Sequence, residues 1–321
     1  MKNFLLMVVA LFNISYAFAD NESTTTLMPE SAIEQILLAP ESPIDISESK
    51  PIESKPIVVK KHVPIIIGLA LGGGAAKGYA HIGVIQALEE NGIKAQIITG
   101  TSAGSLVGSL YAYGYKPAQL RQIAYQMDEM NLADFTLNSN GLIKGNRLQQ
   151  FVNSKVKNTP LQKLKTPFTA VATDLDSGQS VGFNNGDTGI AVRASCSIPN
   201  IFMPVKMNGH RYVDGGLSAP VPVTYARQAG ANFIIAVDIT ARPENGRSGF
   251  LSNLDQTINI MGVKLLAQQL KQADVVIQPD TTQLSSFSFD KKKQAIDFGY
   301  KAAIAQMPSI KQKIAEWQKT H

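Results

Sequence analysis

The chain has 321 residues, a formal net charge of +5, 44% hydrophobic residues and one cysteine, Cys196. One cysteine excludes an intramolecular disulfide, and its small apolar neighbours predict a core residue rather than a nucleophile. No basic run is interleaved with aromatic residues, which argues against a nucleic-acid partner. The part of the chain that follows the N-terminal 61 residues is long enough for one large α/β domain.

Residues 1–19 have the pattern of a secretory signal peptide. A weakly positive start precedes an apolar run, Phe4 to Ile14, and a small-residue cleavage pattern, Ala17 to Ala19. The run is too short to span a bilayer, and no cysteine follows that would accept a lipid. This predicts export to the periplasm or the outer membrane, or secretion beyond it. An uncleaved N-terminal anchor is the alternative.

Residues 20–61 differ in composition from the rest of the chain, being rich in Ser, Thr, Glu and Pro. The motif E-S-K-P-I occurs at 48–52 and again at 53–57. Proline and low apolar content predict a disordered tether. Residues 1–60 carry −4, from four lysines and eight acidic residues, so the remainder carries +9. A basic body favours anionic interfaces such as phospholipid head groups, with ordinary solubility as the alternative.

The predicted domain, residues 62–321, begins with a strand–loop–helix–strand unit. The run Pro64 to Leu71 is apolar throughout, as in a strand buried on both faces. A helix follows to Asn91-Gly92, and a second strand covers Ala95 to Thr99. Because a strand, a helix and a strand follow one another, we expect two parallel strands, with both glycine-rich turns at the same side of the sheet.

The loop Gly72 to Gly78 does not have the spacing of a nucleotide-binding loop. A dinucleotide motif requires a glycine at position 77, which is Lys77. A phosphate loop requires Gly-Lys-Ser/Thr, but Gly78 is followed by Tyr79. Glycine does allow the backbone amides of Gly73 and Gly74 to approach and bind an oxyanion. Lys77 either supports this loop or holds an anionic head group; otherwise it is solvated.

The second turn reads G-T-S-A-G, with Ser102 at its centre. Glycines at 100 and 104 leave room for a strained strand-to-helix turn that lifts the serine out of the sheet. The following helix directs its free amides towards the space above Ser102. This predicts a nucleophile elbow, and the alternative is an ordinary tight turn.

The remaining pattern alternates strands and helices, which predicts an α/β fold. A hairpin turns at Asn208-Gly209. The predicted strands are 168–175, 205–207, 211–213, 233–238 and 274–279. The predicted helices are 117–127, 189–197, 222–230, 255–272, 291–307 and 309–320.

The base that would activate Ser102 is predicted by elimination. In elbow-type triads the histidine follows the acid, and only the terminal His321 follows Asp214. The other three histidines precede Asp214. They lie in the tether (His62), the first helix (His81) and the hairpin turn (His210). A buried carboxylate has a raised pKa and can serve alone, and Asp214 stands at a strand end before two glycines. We therefore predict a Ser102–Asp214 dyad, with an Asx-type turn at Asp214 as the alternative.

Four ordered motifs make the chain resemble the bacterial branch of the patatin-like phospholipase family. They are L-A-L-G-G-G-A-A-K-G-Y-A-H-I-G-V-I, G-T-S-A-G, A-S-C-S-I-P-N-I-F-M-P-V and D-G-G, within residues 64–238. The resemblance implies a three-layer α/β/α fold with a mostly parallel central sheet. It also implies lipid acyl hydrolysis of the phospholipase A type, without a metal or other cofactor.

The family's functional residues are carried over onto matching positions. The resemblance implies that Ser102 is the nucleophile, that Asp214 is its base and that the amides of Gly73, Gly74 and Ala75 form the oxyanion hole. Ala75 stands where the family's loop often has a further glycine, and D-G-G replaces the common D-G-A. The residues that support these motifs are Gly72, Lys77, Gly78, Gly100, Gly104, Gly215 and Gly216.

Three other functions remain open at this point. A soluble esterase or thioesterase would use the same dyad, and a non-enzymatic envelope protein would use the domain or the tether for binding. Nucleotide binding is disfavoured by Lys77 and Tyr79. The expected partner is a phospholipid or other acyl lipid at a membrane or micelle surface. The sequence leaves the oligomeric state, any activating partner and the substrate's head group open.

Overall fold

The computed structural model describes residues 63–136, 142–240, 265–285 and 289–321. The predicted signal peptide, 1–19, and the predicted tether, 20–61, lie outside the described residues. The predicted boundary of the domain at residue 62 therefore stays a prediction.

In these described ranges, eight strands and nine α-helices are labelled in chain order. The strands are β1 Ile67–Leu71, β2 Ile97–Thr101, β3 Phe168–Asp174, β4 Ser180–Phe183, β5 Val205–Met207, β6 His210–Asp214, β7 Phe233–Val237 and β8 Val275–Ile277. The helices are α1 Ala80–Glu90, α2 Ala103–Tyr113, α3 Pro117–Gln126, α4 Glu129–Leu132, α5 Asn146–Lys155, α6 Thr188–Ser195, α7 Val223–Gln228, α8 described over 265–270, and α9 Lys292–Thr320.

The strands form one sheet in which each strand is hydrogen-bonded to the next in the order β5-β6-β3-β2-β1-β7-β8. Strand β4 also pairs with β3. Strands β3, β2, β1, β7 and β8 are parallel, whereas β4, β5 and β6 are antiparallel additions. The prediction of an α/β fold with a mostly parallel sheet is confirmed.

Both faces of the sheet are covered because alternate residues of each strand point to opposite sides. On β1, Leu69 and Leu71 face a core that includes α1 and α9, whereas Ala70 faces a second core that includes α7. On β7, Ile235 and Ala236 divide between the same two cores. The resulting helix–sheet–helix arrangement agrees with the predicted three layers.

Strands β2 and β6 meet end to end along one edge of β3. Thr101 pairs with Val171 in parallel, and Asp214 pairs with Ala172 in antiparallel orientation. Strand β4 pairs with the same β3 residues, so it occupies the opposite edge. Because β2 and β6 run towards each other, their carboxyl ends are adjacent, and the residues that end them are placed side by side.

The last helix differs from its prediction. The sequence predicts two helices separated at Pro308, but α9 continues through this proline as one helix of 29 residues. A proline inside a helix removes one hydrogen bond. Burial of Met307 and Ile310 on either side holds the helix in place. Within the described ranges, no helix combines the length and apolarity that a membrane span requires.

Candidate active site

Ser102 is the one residue between β2 and α2, and its backbone is strained. Its φ is 52° and its ψ is −122°, a left-handed conformation that side-chain-bearing residues seldom adopt. The turn is close-packed, because a Cβ at Gly104 would lie 2.1 Å from the carbonyl oxygen of Leu71 and one at Gly100 2.5 Å from that of Gly104. Glycine is therefore required at both flanking positions.

The side chains of Ser102 and Asp214 are hydrogen-bonded to each other. The Ser102 hydroxyl donates to Oδ2 of Asp214 at 2.6 Å, and both residues are buried, with 7% exposure each. The Gly216 amide donates to the other carboxylate oxygen at 2.7 Å. Burial raises the pKa of Asp214 to about 6, although these two hydrogen bonds lower it. At neutral pH the carboxyl group is therefore ionised and positioned to accept the serine proton.

The carboxyl end of α6 holds the backbone of both residues. The Ser195 hydroxyl accepts from the Ser102 amide at 2.9 Å and donates to the Val171 carbonyl at 2.5 Å. The Asp214 amide donates to the Ser197 carbonyl at 2.8 Å. Ser195 is not among the site residues predicted from the sequence. The two hydroxyls of the segment A-S-C-S, Ser195 and Ser197, were the available signal, since a buried hydroxyl requires a partner.

The glycine loop after β1 lies against the elbow, but its amides are not equivalent. A Cβ at Gly73 would lie 3.3 Å from that of Ser102. The Gly73 amide donates to the Pro220 carbonyl at 2.9 Å, so the predicted availability of this amide is wrong in this conformation. The amides of Gly74 and Ala75 have no acceptor among the described residues, and Ala75 has a positive φ of 46°. These two amides remain candidates for binding an oxyanion.

Lys77 and Gly78 lie where the loop meets the body of the domain. Lys77 is 3% exposed and makes an interaction within the fold, so the solvated alternative for this lysine is wrong. A Cβ at Gly78 would lie 2.4 Å from that of Ala103, which brings the 3-10 helix Ala75–Tyr79 directly against α2. Lys77 therefore supports the loop from inside the protein.

The histidines of the described residues do not contact the serine. His81 is fully buried, and its Nε2 donates to the Gly72 carbonyl at 2.8 Å. Burial lowers the pKa of His81 to about 4, so the ring is neutral at physiological pH. His210 pairs with Asp174 on the exposed side of β6, and His321 stacks on Trp317. Within the described ranges, the geometry provides a carboxylate rather than an imidazole beside Ser102.

Cys196 is partly buried beside the dyad rather than remote from it. Its sulfur lies 3.7 Å from the Ser105 hydroxyl. Burial, with the nearby Asp214 charge, raises the pKa of the Cys196 thiol to about 12. The thiol is thus protonated, which argues against a nucleophilic role. Across the described ranges, no three His, Cys, Asp or Glu side chains are grouped to hold a metal ion.

A strained serine at a strand-to-helix turn, hydrogen-bonded to a buried carboxylate and close to amides without an acceptor in the described ranges, is typical of serine hydrolases. The model of the patatin-like phospholipase family matches residues 69–227, which include the glycine loop, the elbow and Asp214. The chain belongs to the patatin-like phospholipase family.

Curated relatives agree with this family. An uncharacterized NTE family protein of Mycobacterium bovis is 37% identical over 179 residues, which cover 54% of this chain and 49% of that protein. The human patatin-like phospholipase domain-containing protein 6 is 30% identical over 229 residues, covering 68% of this chain and 16% of that protein. The chain thus spans half or less of these relatives.

The crystal structure of VipD from Legionella pneumophila is similar in fold. The TM-score is 0.55 at 15% sequence identity, with 77% of this chain and 68% of that chain covered. At this identity the likeness concerns the fold alone. It agrees with the three-layer α/β/α arrangement that the sequence motifs imply.

Proposed function

We propose that the protein is a lipid acyl hydrolase of the phospholipase A type that works through a Ser102–Asp214 dyad. The observation that carries this proposal is the 2.6 Å hydrogen bond from the Ser102 hydroxyl to the buried Asp214 carboxylate. A serine hydroxyl is a weak nucleophile until a base takes its proton, and a base works best when its pKa lies near the working pH. With its pKa raised to about 6, Asp214 meets that requirement.

The proposed reaction has two halves. Ser102 Oγ attacks the ester carbonyl carbon while its proton passes to Asp214, and a tetrahedral oxyanion forms. When this intermediate collapses, the bond to the alcohol oxygen breaks, and Asp214 returns the proton to the leaving lysolipid. Water then attacks the acyl-enzyme as Asp214 accepts its proton, and the fatty acid is released as Ser102 regains a proton.

The oxyanion would be held by the amides of Gly74 and Ala75 and by the amino end of α2. A Cβ added at Gly73 would lie 3.3 Å from Ser102 Cβ, and this supports the assignment because it places the loop backbone beside the nucleophile. Removing one oxyanion donor typically costs about 2.7–4 kcal/mol of transition-state stabilisation. His81 supports the same loop by fixing the Gly72 carbonyl.

The proposal is tested by fatty-acid release from mixed micelles that contain anionic phospholipid. The purified protein is compared with its Ser102→Ala and Asp214→Ala variants, and circular dichroism checks that all three fold. We expect release by the parent protein and a loss of at least about 10³-fold in both variants. Hydrolysis by the Ser102→Ala variant at the parent rate would contradict the proposal.

Two alternatives give different results in the same assay. A soluble esterase or thioesterase would lose activity in both variants, but its rate would not rise when the substrate forms micelles. A non-enzymatic binding protein would release no fatty acid from any substrate. A buried Ser–Asp pair, an elbow and loop amides that find no acceptor in the described part of the chain together favour an enzyme, since binding alone does not require all three.

We also propose that residues 1–19 direct export and are removed, and that 20–61 link the mature amino terminus to the catalytic domain. The apolar run and the A-F-A cleavage pattern support this proposal. Amino-terminal sequencing of the protein recovered from the cell envelope tests it. A mature chain that begins at Asp20 is expected, and one that retains Met1 would contradict cleavage.

A further inference from the structure

The most exposed large apolar side chains of the described residues lie close together in the chain. Met130, Phe135 and Leu142 are 70%, 65% and 52% exposed. We refer to these three residues as the apolar arm. Single exposed apolar side chains are common on protein surfaces, but a cluster of them indicates an interaction site.

The backbone of the apolar arm is ordered by its own hydrogen bonds. The amide of Thr136 donates to the Leu142 carbonyl at 2.7 Å, and that of Lys144 donates to the Asp134 carbonyl at 3.0 Å. Antiparallel pairing of Phe135 with Ile143 lies between these bonds. Phe135 and Leu142 are therefore held by an isolated β-bridge and its neighbouring hydrogen bonds, whereas Met130 is held on helix α4.

Short helix α4 presents its apolar residues in two directions. Leu132 packs inward against Leu148 and Val152 of α5, and the same cluster includes Leu106, one turn after Ser102 on α2. Met130 points outward and is the most exposed residue of the arm. Of these two residues, only Leu132 packs on the inward side of α4. Met130 therefore contributes little to packing within the domain, and another reason is needed for an apolar side chain at this exposed position.

The apolar arm is joined to the segment that holds the dyad. The amides of Leu142 and Ile143 both donate to the Ile201 carbonyl, at 3.0 and 2.9 Å, and the Met203 amide donates back to Ile143 at 2.8 Å. Only three residues separate Ile201 from Ser197, whose carbonyl accepts from the Asp214 amide. The backbone that carries the arm is therefore connected by hydrogen bonds to the short segment that also holds the Asp214 amide.

The charged groups beside the arm favour an anionic partner. Asp128 and Asp134 accept hydrogen bonds from backbone amides, and Glu129 lies 2.8 Å from a lysine ammonium of α9. The carboxylates keep their charges but are held in place by these contacts. Lys144 and Arg147 are both exposed. The Arg147 guanidinium donates one hydrogen bond to the Asn131 carbonyl at 3.2 Å, yet neither it nor Lys144 has a carboxylate partner among the described residues.

We propose that the apolar arm inserts into the head-group region of an anionic phospholipid bilayer, with Lys144 and Arg147 near the lipid phosphates. Exposed apolar side chains beside basic residues are the composition that binds such surfaces. Docking there places the dyad next to acyl esters at the bilayer surface. The biological purpose of this contact rests on the proposed lipid hydrolysis, but the contact itself does not require turnover.

The test measures binding to vesicles in a Ser102→Ala background, so that hydrolysis does not alter the lipid. Sedimentation compares vesicles of phosphatidylcholine with vesicles that also contain phosphatidylglycerol. The arm variant carries Met130→Ser, Phe135→Ser and Leu142→Ser. The matched control carries Tyr125→Ser and Ile304→Ser, which change exposed apolar residues (47% and 38%) outside the arm.

We expect the parent to bind vesicles with phosphatidylglycerol, and the arm variant to partition at least about tenfold more weakly, because burying even part of such side chains is strongly favourable. The control should stay within about twofold of the parent. Lys144→Glu with Arg147→Glu should remove the preference for phosphatidylglycerol. Thermal unfolding establishes that each variant is folded.

Three outcomes would overturn the proposal. The first is that the parent binds no vesicles. The second is that a folded arm variant binds vesicles as well as the parent does. The third is that the arm forms a dimer interface and that replacing the arm residues breaks the dimer without changing vesicle binding. If the arm binds lipid but the unmodified enzyme hydrolyses none, the proposed function fails and the docking surface stands. If the unmodified enzyme hydrolyses lipid but the arm variant binds vesicles normally, the proposed function stands and the docking surface fails.

Discussion

The turns that follow β1 and β2 lie side by side at one edge of the sheet, yet they expose different chemical groups. After β2, the single residue Ser102 turns the chain into α2 at a φ of 52°, and this presents a side chain. After β1, three glycines precede the 3-10 helix Ala75–Tyr79, and this exposes the backbone amides of Gly74 and Ala75. The turn after β2 thus has a serine where a side chain is presented, and the turn after β1 has glycines where backbone amides are presented.

The two turns also differ in how closely they are packed. A Cβ at Gly104 would meet backbone at 2.1 Å, whereas one at Gly73 would have the Ser102 side chain at 3.3 Å as its nearest neighbour. Because backbone cannot move as readily as a side chain, we expect changes in the elbow to reduce stability. Changes in the glycine loop should mainly affect the reaction.

The largest effect is expected from Gly104→Ala. The added methyl overlaps the Leu71 carbonyl, so α2 must move away from β1. Overpacking and backbone displacement of this kind cost about 3 kcal/mol or more of unfolding free energy. Calorimetry should show a large fall in Tm, and an unchanged Tm would contradict the tight elbow.

Asp214→Asn should change how stability depends on pH. The carboxyl pKa is about 6 in the folded protein, above about 3.9 in the unfolded chain. The carboxyl group therefore contributes stability below pH 4, and this contribution is lost as pH rises through 6. Compared with the Asp214→Asn variant, the parent should lose about 3 kcal/mol of unfolding free energy between pH 4 and pH 8.

Urea unfolding at pH 4 and pH 8 measures this change. The Asp214→Asn variant should gain stability relative to the parent as pH rises. Titration of other groups is common to both proteins, so it cancels in the comparison. A difference between the two proteins that does not vary with pH would show that Asp214 has an ordinary pKa.

Ser195→Ala should have an intermediate effect. It removes the acceptor of the Ser102 amide, and leaving a buried amide unpaired costs about 1–3 kcal/mol. We expect kcat to fall about 10- to 100-fold while KM changes little, because the nucleophile loses its support but the binding surface is retained.

A matched control for this prediction is Ser109→Ala. Ser109 is also a buried serine, but its hydroxyl donates to the Leu106 carbonyl within α2 and does not contact the dyad. Steady-state kinetics should show a larger loss of kcat for Ser195→Ala than for Ser109→Ala. Equal losses would mean that Ser195 acts only through general stability.

Gly73→Ala should have the smallest effect on stability, about 1 kcal/mol or less, since Ser102 can shift by a few tenths of an ångström. Turnover should still fall, because the methyl group stands beside the nucleophile. Parallel measurements of Tm and ester hydrolysis test both expectations. If Tm falls as far as in Gly104→Ala, the distinction between the two turns is wrong.

Much of the framework follows from local pattern. Continuous apolar runs predict buried parallel strands, and Asn208-Gly209 predicts the hairpin that the structure forms between β5 and β6. Ser102 and Asp214 are identifiable from residue type and from the positions of glycines around them. The structure brings their side chains within hydrogen-bonding distance, while their catalytic roles stay proposals.

Features that depend on distant parts of the chain could not be predicted in this way. The Gly73 amide bonds to Pro220, and the Ser102 amide bonds to Ser195. Such bonds leave no periodic pattern in the sequence. Lys77 is buried because the 3-10 helix that contains it packs against both α2 and α9, which a local pattern does not reveal. Burial by α9 likewise overrides the helix-breaking tendency of Pro308.

The meeting of β2 and β6 at one edge of β3 has a consequence for the newly made chain. Ser102 is synthesised 112 residues before Asp214, and the two residues meet only after β3 has joined β2 and the hairpin of β5 and β6 has docked. Until then the Ser102 hydroxyl lacks the carboxylate that we propose as its base. If the proposed function holds, a growing or half-folded polypeptide would not hydrolyse lipids, and the appearance of activity would report that the sheet is complete.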